Sequence, residues 1–273
     1  MRTSSPARWA KLSLNSKHGD WVLSMVVDMS TATNPENFSA TDQLKRAAAN
    51  HSATLLQDGM VVGLGSGSTA KFAVDAIGQR VREGLHIVGI PTSEQTARQA
   101  RDLGIPLSTL GDYPRIDVTI DGADELETGT LNLIKGGGGN HLREKIVATA
   151  SLRLIVVVDE GKVVRQLGTH AKVPVEVAQF GWQATARILA KLNTNPILRL
   201  GSDTQPFVTD GGNFILDCGF GPIVSPAHLQ SELDSIVGVV EHGLFVGLAS
   251  QVLIGRTNGV EQVTTEFLAG SSR

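Results

Sequence analysis

A chain of 273 residues with 41% hydrophobic and 19% charged residues has the make-up of an ordinary globular protein, and is long enough for one large or two modest packed domains. No apolar run approaches the ~20 residues of a membrane-crossing helix, and a net charge of -3 with 4% aromatic residues argues against the basic, stacking surface of a nucleic-acid binder. The single cysteine, Cys218, permits no intrachain disulfide, and no cysteine and histidine cluster has zinc-ligand spacing, so the expectations are a reducing, cytoplasmic compartment and no metal.

Residues 1–39 differ from the rest. Met1 to Gly19 carry Arg2, Arg8, Lys11 and Lys17, several serines and no acidic residue, which is the bias of an organellar transit peptide, but they lack the uninterrupted apolar stretch of a secretory signal. Met25 and Met29 permit a start further downstream. The segment is expected to be a disordered extension, with organellar targeting as the alternative.

Regular structure is expected from Ser39, where Ser39 and Asp42 have capping-box spacing ahead of a helical pattern of Leu44, Ala48, His51 and Leu55, with Gly59 as the stop. Met60 to Leu64 reads as a strand, and Gly65-Ser66-Gly67-Ser68-Thr69 opens a helix through Phe72, Ala76 and Ile77. A strand at His86 to Ile90, a capping box at Thr92 to Gln95 and a helix stopping at Gly104 repeat the unit. Ile116 to Ile120 is the next strand and ends in Asp121-Gly122-Ala123-Asp124-Glu125. Leu131 to Ile134 leads into Lys135 and four consecutive glycines, Leu142 to Ala150 is helical, and Leu154 to Val158 is a buried strand.

From about Lys172 the texture changes. Strands are expected at Val173 to Val177, near Ile197 to Leu200, at Phe207 to Thr209, Asn213 to Asp217 and Val237 to Glu241, with helices over Gly181 to Leu192 and Pro226 to Leu233. Leu244 to Leu248 and Gln251 to Ile254 are strand-like again and free to return to the first domain. The fold class is therefore α/β: a mostly parallel, doubly wound sheet with a second, smaller α+β domain. The boundaries are 1–39 for the extension, 40–168 plus 243–273 for the α/β domain and 169–242 for the smaller one.

Three polar motifs, at 65–69, 121–125 and 135–144, follow strands, and a parallel sheet brings such ends to one edge, where its ligands bind. The turn from Gly63 is no dinucleotide fingerprint, because Ser68 stands where glycine is required and Ile90-Pro91-Thr92 offers no acidic residue for a ribose; no Walker lysine follows either. What remains is a hydroxyl-rich helix N-terminus that suits a phosphate, or simple capping by Ser and Thr. Lys135 with its glycines is an anion site, or a flexible loop. Asp121 and Asp124 are suited to turn capping or to handling sugar hydroxyl protons beside Lys135, and their spacing matches no calcium loop. Glu144 opens a helix, where the dipole favours its charge. His141 is the usual acid-base type, but a lone histidine is more often structural.

Taken together, Gly63 to Ala70, Asp121 to Glu125, Ile134 to Gly138, Arg143 to Ile146 and Val158 to Lys162 resemble ribose-5-phosphate isomerase of type A, with weaker agreement at Val173 to Val177, Thr209 to Asn213 and Gly243 to Phe245. The resemblance covers about Thr41 to Gly259 in one order. It implies interconversion of D-ribose 5-phosphate and D-ribulose 5-phosphate in the non-oxidative pentose phosphate pathway, without a cofactor, by a homo-oligomer (dimer or tetramer). It further implies Glu144 as the general base through an enediolate, Lys135 at the oxyanion, and Asp121 and Asp124 on the sugar hydroxyls, with Asp121 assisting ring opening. Substrate contacts are implied for Ser66, Gly67, Ser68, Thr69, Gly122, Ala123, Gly136, Gly137, Gly138 and Lys162, and for Lys45 near the phosphate. Asn140 and His141 depart from the small or apolar residues more usual there, and residues 1–39 have no counterpart. Competing expectations are a sugar-phosphate-responsive regulator, an acyl-CoA transferase and an amino-sugar phosphate isomerase.

Overall fold

Ser39 starts the first helix as the sequence requires: its Oγ accepts from Asp42 N at 3.1 Å and donates to the Asp42 carboxylate at 2.8 Å. The computed structural model describes residues 38–264, so residues 1–37 of the expected extension over 1–39 and the tail 265–273 lie outside the described residues, while Ser39 belongs to the first helix as its cap. Helix α1 (Ala40–Thr54) ends before the expected stop at Gly59. Ser52 and Thr54 turn their hydroxyls onto Ala49 O and His51 O, competing for the carbonyls of the last turns, and Gly59, at φ 82°, shapes the turn into the next strand instead.

The chain continues through β1 (Val61–Leu64), α2 (Ser68–Arg82), β2 (Val88–Pro91), α3 (Glu94–Asp102) and β3 (Val118–Asp121). The cap of α3 is Ser93, which accepts from Thr96 N, rather than Thr92, whose hydroxyl is taken by Leu64 O at the end of β1. Next come β4 (Glu125–Glu127), β5 (Leu133–Ile134), α4 (His141–Thr149), β6 (Leu154–Asp159) and β7 (Val163–Val164). The smaller elements are β8 (Val173–Val177), α5 (Trp182–Leu189), β9 (Ile197–Leu198), β10 (Phe214–Cys218), α6 (Pro226–Asp234) and β11 (Val239–His242). Finally, β12 (Leu244–Phe245), β13 (Gln251–Arg256) and β14 (Gly259–Thr264) close the described chain.

The main sheet has the order β14-β13-β6-β3-β1-β2, parallel except for the β13-β14 edge pair. Alternation along β6 assigns its faces: Ile155 and Val157 join the core beneath α1 and α2, whereas Leu154, Val156 and Val158 join the core on the opposite face with Ala148 of α4. This is the expected doubly wound α/β arrangement. From β1 the chain first goes to β2 on one side and then to β3 on the other, so strand order reverses beside β1 and the carboxyl ends of β1 and β3 lie next to each other. Such a switch point leaves a crevice beyond the strand ends.

Residues 173–242 build an antiparallel sheet of order β11-β8-β10-β9 over an apolar cluster that Ile134, Val164, Leu167 and Leu244 also join. The expected strand at Phe207 to Thr209 is absent: Thr209 Oγ1 accepts from Gly211 N and Asn213 N and bends the chain into a turn. The helix expected over Gly181 to Leu192 stops at Leu189 and tightens into a 3-10 turn over Ala190–Leu192. A third sheet, β12-β5-β4-β7, joins the two. Gly243 makes that junction because Lys135 N bonds to Gly243 O, and a Cβ on Gly243 would lie 2.2 Å from Lys135 O. Beyond it, β13 re-enters the main sheet beside β6, which sequence left open. Among the described residues no helix is long and apolar enough to cross a membrane.

Candidate active site

Three strand ends deliver the site. β1 runs into the turn Gly65 to Gly67, where Gly65 is obligatory: a Cβ there would lie 2.6 Å from Asp121 Cα and 2.3 Å from its carboxylate. Gly67, at φ 94°, is the N-cap of α2 and makes no side-chain cap, so the first amides of that helix stay open to a ligand. Ser66 is not a cap either; its hydroxyl donates to Glu144 Oε1 at 2.6 Å. Simple helix capping therefore does not account for this turn.

β3 ends on Asp121, and β5 runs into Lys135. Asp121 Oδ1 accepts from Ser66 N at 3.1 Å and Gly122 N at 2.7 Å, and its Oδ2 lies 3.1 Å from Lys135 Nζ. Lys135 Nζ also lies 3.0 Å from Glu144 Oε2 and donates to Gly122 O at 2.6 Å. Asp121, Lys135 and Glu144 are 1%, 3% and 4% exposed, so the cluster of two carboxylates and one ammonium sits in a medium where charges interact strongly. The buried ring of Phe245 lies beneath the Lys135 ammonium, 5.4 Å from Nζ to the ring centroid.

Helix α4 aims Glu144 inward. Successive side chains on a helix diverge by about 100°, and its neighbours point elsewhere: Arg143 to Glu94 at 3.0 Å and Asp210 at 3.5 Å, Lys145 to Glu241 and His242 O. His141 is fully buried, with its ring under Gly136, where a Cβ would meet Nδ1 at 2.6 Å. Burial, reinforced by the Lys145 and Arg199 charges, pushes its pKa down to about 3, so it is a neutral packing piece beneath the loop. Asn140 is the N-cap of α4 and bonds only weakly to Gly138 O, at 3.4 Å.

Ser66, Gly67, Ser68, Thr69, Gly122, Ala123, Asp124, Lys135, Gly136, Gly137, Gly138, Glu144 and Lys162 line one cleft. Asp124 stands at the lip, where Oδ2 accepts from Gly137 N at 2.7 Å. Lys162 is carried there by the turn Glu160–Lys162, which Asp159 caps by accepting from Gly161 N. Two residues are placed differently from expectation. Asp121 lies beneath the lining with its oxygens engaged, because the β3 carboxyl end abuts Gly65 and Lys135. Lys45 does not line the cleft; it pairs with Asp42 on its own helix at 3.5 Å.

Electrostatics single out Asp121. Burial is the largest influence and the Glu144 charge adds to it, raising the Asp121 pKa to about 7 against the opposing pull of Lys135 and Gly122 N. Lys135 is itself raised: burial would lower it, but the charges of Asp121 and Glu144 outweigh burial. Because folded Asp121 holds its proton to higher pH than the ordinary 3.8, this group's contribution to stability declines as pH rises from about 4 to 7.

A family model described as Ribose 5-phosphate isomerase A (phosphoriboisomerase A) matches residues 88–259. Ribose-5-phosphate isomerase A of Gloeobacter violaceus is 59% identical over 223 residues, covering 82% of this chain and 96% of that protein. The chain belongs to the ribose 5-phosphate isomerase A family. As a member of that family it is an isomerase, and the regulator, acyl-transfer and amino-sugar expectations fall away. The family fold is evident in a structure of ribose 5-phosphate isomerase A from Methanocaldococcus jannaschii, with a TM-score of 0.79 and 41% identity over 82% of this chain and 99% of that one. A D-ribose-5-phosphate isomerase in complex with phospho-erythronic acid gives a TM-score of 0.80 at 37% identity, covering 83% of this chain and all of that one.

Two residues beside this cleft receive no role of their own from sequence. Glu125 is buried and accepts from Gly168 N, His170 N and Ala171 N, pinning the loop that leads to β8. Arg199 reaches the glycine loop from the small sheet. A charged residue at the end of a short apolar strand was the available signal for Arg199, but only the fold shows what it meets.

Proposed function

We propose that the family's reaction, the interconversion of D-ribose 5-phosphate and D-ribulose 5-phosphate, proceeds in this cleft by proton transfer through an enediolate. The observation that carries the reading is the contact of Glu144 with both Ser66 Oγ and Lys135 Nζ. In the open-chain aldose Glu144 removes the proton on C2 and returns it to C1 while the O2 hydroxyl proton passes to O1, and the Lys135 ammonium stabilises the negative charge that develops on the substrate oxygens. Sugar hydroxyls are held by Asp124 at the lip. Asp121 works from behind, holding Lys135 and the Ser66 amide, so its proposed part in ring opening is exerted through Lys135 rather than by direct contact with the sugar. The phosphate lies at the open N-terminus of α2 among Ser66 to Thr69, with Lys162 across the cleft and Lys45 in an outer role.

Several coarser expectations extend this reading. Cofactor-free chemistry fits a cluster that supplies its own base and cation. We read residues 169–242 as a small α+β domain on a catalytic domain of 40–168 plus 243–273. The protein is proposed to act in the cytoplasm, in the non-oxidative pentose phosphate pathway, on a small sugar phosphate and without nucleic-acid or membrane partners. A homo-oligomer, dimer or tetramer, is proposed as well, on the family resemblance alone.

The direct test is ketose formation from ribose 5-phosphate by the purified chain in the presence of a chelator, followed across pH. Turnover is expected to persist, with kcat/KM falling as pH drops through about 7, because the first proton taken up by the Asp121, Lys135 and Glu144 cluster removes a negative charge that the base needs. Absence of ketose, or a loss of activity on chelation, rejects the mechanism.

A further inference from the structure

The glycine run is held by a residue outside the catalytic cluster. Arg199 follows β9, and Asp217 on the neighbouring β10 fixes its guanidinium through Nε, at 3.0 Å, and through Nη2. The remaining arm, Nη1, donates to two successive carbonyls of the loop, Gly136 O at 2.9 Å and Gly137 O at 3.1 Å. The backbone of Arg199 is fixed as well, since its N–H bonds to Ile215 O and its carbonyl accepts from Phe207 N. The Phe207 ring in turn fills the space where a Cβ on Gly139 would stand, 2.5 Å away.

In a trans peptide the N–H points opposite to the C=O. Drawing Gly136 O and Gly137 O toward Arg199 therefore turns Gly137 N–H and Gly138 N–H the other way. Gly137 N–H is seen to do this, donating to Asp124 at the cleft lip. Gly138 N–H has no partner among the described residues and belongs to a cleft-lining residue. Gly139 N–H also closes a turn onto Gly136 O, at 3.0 Å, so the clamp matters most for the Gly137 carbonyl and the Gly138 amide, which as glycine would otherwise sample many orientations.

We propose that Arg199 is a positioning residue for substrate binding: by holding the Gly136 and Gly137 carbonyls it presents the Gly138 amide and the Asp124 carboxylate to the sugar phosphate. Arg199 itself touches no reacting atom. A lysine cannot replace it, because one ammonium cannot satisfy the Asp217 carboxylate with a planar fork and still reach both carbonyls. The proposal rests on the reading that the glycine loop binds substrate.

The test is steady-state kinetics of Arg199→Lys and Arg199→Ala beside Asp124→Asn, with thermal melting of each. For both Arg199 variants KM for ribose 5-phosphate is expected to rise tenfold or more while kcat stays within threefold, and millimolar guanidinium is expected to lower the KM of Arg199→Ala but not that of Asp124→Asn. A lower melting temperature with unchanged KM, or a loss confined to kcat, overturns the proposal. If Asp124→Asn raises KM and the Arg199 variants do not, Arg199 has no positioning role although the loop binds substrate. If none of the three alters KM, the binding reading of the loop fails as well.

Discussion

Replacing Glu144 by glutamine is expected to lower kcat by about 10³-fold, within the range by which a positioned base accelerates proton transfer, while ribose 5-phosphate still binds. Glutamine has nearly the same shape, so the Ser66 hydroxyl keeps an acceptor in the amide oxygen, and Lys135 keeps its contacts with Asp121 and Gly122 O. What is lost is the only carboxylate among the described residues that both lines the cleft and touches Lys135. Removing one negative charge from a site that receives a phosphate should leave affinity equal or somewhat higher. Calorimetric titration of the variant with ribose 5-phosphate measures binding, and a ketose assay measures turnover. Near-wild-type turnover in folded Glu144→Gln protein removes Glu144 from the mechanism.

The second large effect is expected from Lys135→Met, and it falls on stability as well as activity. Methionine fills much of the same volume but leaves Asp121 and Glu144 facing each other in a buried site without a counter-charge. Breaking a buried ion pair from one side costs about 3–5 kcal/mol. Losing an oxyanion-stabilising group costs about 10²–10³-fold in kcat. The pH sign follows from the direction of the shifts. Lys135 pulls the Asp121 pKa down, so its removal raises that pKa further, and the folded variant then binds protons that the unfolded chain has already released. The stability deficit is therefore expected to widen as pH rises from about 6 to 8, where wild-type Asp121 ionises and the variant's does not, and to be level in acid. Melting curves of wild type and Lys135→Met at both ends of that window measure it. A deficit independent of pH shows that the carboxylates do not depend on Lys135.

The main architecture was legible because its signals are local. Alternating apolar strands and capped helices mark βα units, and a polar motif directly after a strand must appear at the sheet edge; thus Ser66, Asp124, Lys135, Glu144 and Lys162 meet although they span almost a hundred residues of sequence. Short pairings were not legible. The three-residue β4 and two-residue β7 exist through the strands they pair with, and neither has an apolar period of its own. At Phe207 to Thr209 an apolar start suggested a strand, but Thr209 closes a turn with its side chain. Within the site, residue type identified Asp121 but not its depth: only the β3 register, with Gly65 against it, shows that it lies behind Lys135. Asn140 and His141 were an unexplained departure in sequence, and the fold gives His141 a role as buried packing under Gly136. Arg199 is invisible in one dimension, because its partners come from a strand and a loop that only tertiary packing brings to it.

The central claim is that the Glu144 carboxylate carries a proton between C2 and C1, and isomerisation in deuterium oxide followed by NMR tests it most directly. Ribose 5-phosphate recovered from wild-type protein after the reaction has approached equilibrium is predicted to carry deuterium at C2, acquired when the proton on Glu144 exchanges with solvent, and Glu144→Gln is predicted to abolish that incorporation while still binding the sugar phosphate. Deuterium entering C2 at the wild-type rate in Glu144→Gln would contradict the account.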